Sequence, residues 1–206
     1  MLRATRNNRT IADYDIGLTD DWHQVDLDPE TSASWPGSLA ARLASEEAAT
    51  RGLAARLAAV QETMRGMEAP QLTAAVWVPK PDSGDIASIL AFGLVELVAG
   101  QDPALYRVAL AADEGRSEDG VDFLDVRTWE ARIDAGICVG AYNKIAHARP
   151  GTPTVVEERT VFGVFPPRSK QMIECIFIAQ SSSSYDDIVE QTQAVVGTVT
   201  VVLEKG

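Results

Sequence analysis

The chain has 206 residues, 46% of them hydrophobic and 23% charged, and a net charge of −12. A chain of this length builds one substantial domain more readily than two. It buries roughly 70% of the surface its unfolded form exposes, so its core needs no disulfide or metal. The negative charge argues against partners that present phosphates or anionic lipid, because both are repelled.

Residues 1–10 carry Arg3, Arg6 and Arg9 and read as a basic, extended arm, followed by one α/β domain over 11–206. Arginines with no apolar run behind them do not make a secretory signal. From Thr10 to Ala41 the chain holds seven acidic residues and no lysine or arginine. Inside that stretch, "YDIGL" and "WHQVDL" alternate around "TDD", which predicts a β-hairpin or two short strands. In the second, His23, Val25 and Leu27 share the face turned to the core or its rim. Trp22, Gln24 and Asp26 share the other face. Asp20, Asp21, Asp26 and Asp28 then form an acidic outer surface.

After Pro29, Leu39, Leu43, Leu53, Leu57, Val60 and Met64 recur at helical spacing with alanines between them, predicting one long helix lying across a sheet face. Ser34 or Ser32 is its candidate cap, with Pro36 in the first turn. Gly52 weakens its middle, and Gly66 with Pro70 ends it. Trp35, beside Pro36 at the helix start, is the best candidate for an exposed contact aromatic.

"LTAAVWVP" is a strand, "KPDSGD" a turn, and "IASILAFGLVELV" a long buried strand antiparallel to the first. No run approaches the ~20 apolar residues of a membrane span, and the nearest candidate contains Glu96. "DPALYRVALAADEG" reads as a short helix with a glycine stop. "VDFLDVRTWEARI", "GICVGAYNKIAHA" and "PTVVEERTVFGVFP" are extended, and the stretch 113–125 before them is the second acidic one. "QMIECIFIAQ" is the most strand-like segment and takes the central place, with Ile173, Cys175 or Ile176, Phe177 and Ile178 deeply buried. Cys138 and Cys175 read as free thiols in a reducing cytosol unless their strands adjoin. At the end, Ser184 and Asp187 resemble a capping box, and Ile188, Thr192, Val195, Val199 and Val202 keep a helical face. The β-branched "VVGTVTVV" leaves a helix followed by a last strand open.

This order predicts an α+β domain with a mostly antiparallel sheet of about six to seven strands, flanked by a long helix and a C-terminal helix. The opening "DIGLTDDWHQVDL" and the closing "MIECIFIAQSSSSYDDIVEQTQAVV" carry a resemblance to the Mog1/PsbP-like α/β/α sandwich and to small actinobacterial proteins of that architecture. The resemblance implies an accessory protein and transfers no site residues. Lipoprotein members carry an N-terminal lipid-attachment cysteine, which has no counterpart here.

Chemistry is sparse. Transition-metal sites want His and Cys at close spacing, but His23 and His147 are far apart and neither cysteine has a CxxC partner. "DYDIG" and "DLDPE" do not continue into a calcium loop. There is no GxSxG elbow, and "GICVGAYNK" has the wrong glycine spacing for a nucleotide. His147, at a strand end, reads as an exposed loop histidine. The serine run reads as capping, and the tryptophans as core and rim packing. No catalytic, cofactor-binding or metal-binding residue is assigned. The expectation is a cytoplasmic, non-catalytic accessory protein, without nucleic-acid partner or membrane insertion. It would recognise a basic protein partner through Asp20, Asp21, Asp26, Asp28 and Trp35, as a secretion-associated chaperone or adaptor, or a toxin-immunity protein, does. The alternative is a small-molecule-binding protein or enzyme with a cleft between helix and sheet.

Overall fold

An antiparallel sheet covered on both faces decides where most of the apolar side chains go. The computed structural model describes residues 9–28, 30, 32–67, 72–98, 101–181 and 183–204, so most of the basic arm lies outside the described residues. The chain runs β1 (Ile11–Asp15), β2 (Trp22–Gln24), α1 (Trp35–Leu43), α2 (Glu47–Arg65), β3 (Thr73–Trp77), β4 (Ser88–Glu96), α3 (Pro103–Ala111) and β5 (Ser117–Glu118). It continues through β6 (Val121–Ile133), β7 (Gly136–His147), β8 (Val155–Phe165), β9 (Gln171–Ala179), α4 (Ile188–Val196) and β10 (Thr200–Leu203). Eight strands form one sheet in the order β2-β3-β4-β9-β8-β7-β6-β5, every neighbour antiparallel. β1 and β10 pair antiparallel as a separate sheet.

The α+β class, the antiparallel sheet and the central place of β9 match the expectation from sequence. The strand count exceeds it, because the two-residue β5 and the closing β10 carry little periodic signal of their own. In β9, Ile173, Cys175 and Phe177 are fully buried, while Ile176 and Ile178 on the opposite face are half-buried.

Cross-strand register sorts the sheet into two faces. Leu90, Phe162, Cys175 and Phe177 share one face, which packs under Ile11, Ile16, Val196 and Val199 from β1, α4 and the segments beside them. Ala74, Val76, Ile89 and Ala91 lie on the other, under Leu39, Leu53, Leu57, Val60 and Met64 from α1 and α2. Along the same face, α3 sets Tyr106 over Val139, Phe165 and Met172. Each fully buried Leu, Val, Ile, Phe or Met contributes roughly 1.5–3 kcal/mol by leaving water, so neither layer is optional.

Five local points are settled or corrected. β1 and β2 do not form a hairpin with each other; β1 pairs with β10 and β2 with β3. The long helix is two helices, and the break is at Ala44–Glu46 rather than Gly52. Ala44 and Glu46 are extended, and the Asp82 carboxylate holds the segment between them by accepting from the Ser45 amide at 2.6 Å and the Ser45 hydroxyl at 2.9 Å. Ser34 precedes α1 but its side chain makes no cap. The C-terminus is a helix followed by a strand: α4 is capped by Asp187, which accepts from the Glu190 amide at 2.9 Å, and β-branched Thr200–Val202 continue as β10. Finally, the face of β2 expected to be an acidic outer surface is only partly open: Gln24 is exposed, but its neighbour on that face is not. Trp22 packs into the first core, its ring 6.1 Å from Trp77 and 5.9 Å from Phe177.

Candidate functional site

The acidic stretch becomes a site where β2 ends. The Val25 amide donates to the Ala74 carbonyl at 2.8 Å, closing the pairing with β3. The chain then folds onto its own carboxylates. The Asp28 amide donates to Asp26 at 3.0 Å and the Glu30 amide to Asp28 at 2.9 Å, and the Ser32 amide returns to the Asp28 carbonyl. Gln61, buried on the apolar stripe of α2, fixes this turn from beneath. Its side-chain amide donates to the carbonyls of Asp26, at 2.6 Å, and Ser32, at 3.1 Å. The Arg65 guanidinium is engaged by the Ser32 hydroxyl. Trp35 then opens α1, half-buried against the second core.

The result is an open cleft of about 480 Å³ lined by Gln24, Asp26, Asp28, Trp35, Leu72 and Thr73, among others. A second cleft of about 350 Å³ shares Gln24 and Thr73 with it and adds Tyr14, Asp15 and Phe92. Among the described residues, no lysine or arginine lines either cleft. Asp26, Asp28 and Trp35 thus border one cleft, and Asp15, Tyr14 and Phe92 border the one beside it. Such a lining favours a cationic group with an apolar stem, since carboxylates attract the charge and ring faces accept it.

Of the residues expected to bind a partner, Asp26, Asp28 and Trp35 meet in this cleft. Asp20 and Asp21 do not. They are exposed in the turn at the other end of β2, where the Asp21 carbonyl accepts from the Val78 amide. Trp35 is half-buried rather than exposed. Sequence reasoning missed Gln24, Asp15, Tyr14 and the anchoring role of Gln61. Only Gln61 left a signal, a polar residue on the stripe that also carries Leu53, Leu57 and Met64.

The second acidic stretch, 113–125, does not join this surface. It lies around β5 and the start of β6, and six strands separate β5 from β2 in the sheet order. At about 4.8 Å per strand, the two acidic regions are the opposite rims of the sheet.

The remaining candidate groups are held quiet. His23 is half-buried on the face that α1 covers; burial first, and then the Arg42 charge, lowers its pKa, with Asp21 opposing. His147 is not in a loop but ends β7, half-buried, with Nε2 3.3 Å from the Glu157 carboxylate. Cys138 and Cys175 are free and buried, and burial pushes the Cys138 thiol up to about 12, which removes its nucleophilic form at neutral pH. A further cleft of about 440 Å³ lies at the N-terminus of α4, between helix and sheet, lined by Arg127, Tyr142, Glu158, Ser181, Tyr185 and Asp187, among others. There the Arg127 guanidinium lies 4.4 Å over the Tyr142 ring, whose hydroxyl donates to Glu158 at 2.6 Å. Burial and that hydrogen bond push the Tyr142 phenol up to about 12, so it remains a donor. These groups can bind polar ligands.

Among the described residues, no helix is long and apolar enough to cross a membrane. In comparisons with known proteins, the chain matches no family model and no curated protein.

Proposed function

We propose that this protein is a non-catalytic accessory protein of the cytoplasm that recognises a basic segment of a protein partner in the acidic cleft beside β2. The observation that carries this reading is the meeting of Asp26 and Asp28 with Trp35, and of Asp15 with Tyr14, in two adjoining depressions that no lysine or arginine lines among the described residues. Free, buried thiols support a reducing compartment. The helix–sheet–helix layering supports a Mog1/PsbP-like sandwich, and with it an adaptor, chaperone or immunity role.

A fluorescein-labelled peptide of alternating lysine and valine, titrated by anisotropy, tests the reading. It should bind the wild type, and Asp26→Asn/Asp28→Asn should weaken it, while the glutamate counterpart should not bind. Equal affinity for both peptides would overturn the reading. A small-molecule-binding role is the second reading, favoured by the convergence of Arg127, Tyr142 and Glu158 beside α4. It predicts saturable quenching of tyrosine and tryptophan fluorescence by a small polar ligand that is lost in Arg127→Ala.

A further inference from the structure

The two rims of the sheet are protected unequally. β2 is three residues long, and a strand that short offers little to pair with. β6 is thirteen residues long. Among the described residues its outer side is paired only at its start, where Ser117 and Glu118 face Asp122 and Val121 and the Phe123 amide donates to the Arg116 carbonyl. Among the described residues no backbone hydrogen bond reaches that side beyond Phe123, although the strand runs on to Ile133.

Register fixes what the open rim presents. The Phe123 amide points outward, and the one-residue bulge before Asp125 shifts the alternation. Val126, Thr128, Glu130 and Arg132 therefore turn their N–H and C=O groups away from β7. Asp125 and Arg127 share one face of the strand and are already paired, at 3.2 Å. Glu130 and Arg132 share the other, are exposed, and form no ion pair among the described residues.

We infer that this rim is the surface on which a second copy of the chain docks, β6 against β6, about a two-fold axis at Ala131. An antiparallel two-fold pairing keeps each side chain on its own face, so it must centre a residue on itself. Centred on Ala131, it sets Glu130 opposite Arg132 of the second copy and Arg132 opposite Glu130, with Trp129 opposite Ile133. Centred on Glu130, it opposes like charges. Centred on Val126, it drives Glu130 into the stretch that β5 covers. Opposite charges directly across an antiparallel pair stabilise it, and like charges destabilise it. A rim charged only to repel other strands would carry one sign. This one alternates, and its three acids and two arginines between Asp125 and Asp134 make it nearly neutral on a chain of net charge −12.

Light scattering coupled to size exclusion of the full chain, at low and high micromolar concentration, tests the inference. The wild type should be a dimer at the higher concentration. Glu130→Arg and Arg132→Glu should each weaken the dimer roughly tenfold or more, and the combined exchange should restore it, since like charges across an interface cost several kcal/mol. Ala131→Cys supplies an independent reading. Residues opposed in a non-hydrogen-bonded pair have Cα atoms about 4.5 Å apart, within disulfide reach, so mild oxidation should link two copies while the buried Cys138 and Cys175 remain free. A wild type that stays monomeric, a dimer indifferent to either reversal, or a dimer that Ala131→Cys fails to link would each overturn it.

Discussion

His23 shows how one side chain ties the acidic rim to stability. It lies on β2 opposite Val76 in the cross-strand register, facing the layer formed by α1 and α2, and its burial and the Arg42 charge disfavour the imidazolium. The unfolded chain therefore takes up this proton before the folded one. The contribution to stability is fully present above the unfolded value of 6.5 and is lost as pH falls through the lower folded value. An NMR titration should place the His23 midpoint below 6.5, and His23→Gln should flatten the acid side of the urea-midpoint profile. A midpoint above 6.5 would contradict the assignment. Gly140 makes a second case at this scale. Trp129 is its cross-strand partner and its ring fills the space a Cβ would need. Gly140→Ala should cost roughly 1–3 kcal/mol in urea unfolding, as overpacking does, and Trp129→Leu in the same chain should recover part of it.

The four helices separate what sequence makes legible from what it does not. α2 and α3 follow from apolar residues at helical spacing, and α3 from Asp102, whose carboxylate accepts from the Leu105 amide at 2.9 Å. The strands β4 and β9 read as continuous apolar runs because both their faces are covered. The gap between α1 and α2 was not legible, since it is held by Asp82, a residue far along the chain. β10 was obscured for the same reason, its partner β1 lying at the opposite end of the sequence. Of the site, the acidic stretch and Trp35 were visible, but no local pattern shows that Asp15 and Asp26 border adjoining clefts while Asp20 turns away. At the start of α4, Asp187 caps and Asp186 does not. Asp187→Ala should therefore cost about 1 kcal/mol, and Asp186→Ala a few tenths at most, by thermal or urea unfolding.

Across the whole molecule, charge is distributed by rim. The β2 rim carries the acidic clefts and the far rim carries the stretch from Asp113 to Asp125. A basic partner drawn to the first is steered over distances that shorten with salt, from about 10 Å at 0.1 M to about 3 Å at 1 M. Asp26→Asn/Asp28→Asn should slow its association and flatten the salt dependence. Asp119→Asn/Asp122→Asn on the far rim should change neither, which separates a specific site from general attraction to an acidic protein.

The most direct test is to locate the bound segment. In an ¹⁵N-labelled sample titrated with the lysine–valine peptide, the largest shift changes should fall on the Trp35 indole N–H and on the amides from Gln24 to Asp28. Changes centred on Asp113 to Asp125, or spread evenly over both rims, would contradict the cleft beside β2 as the recognition site.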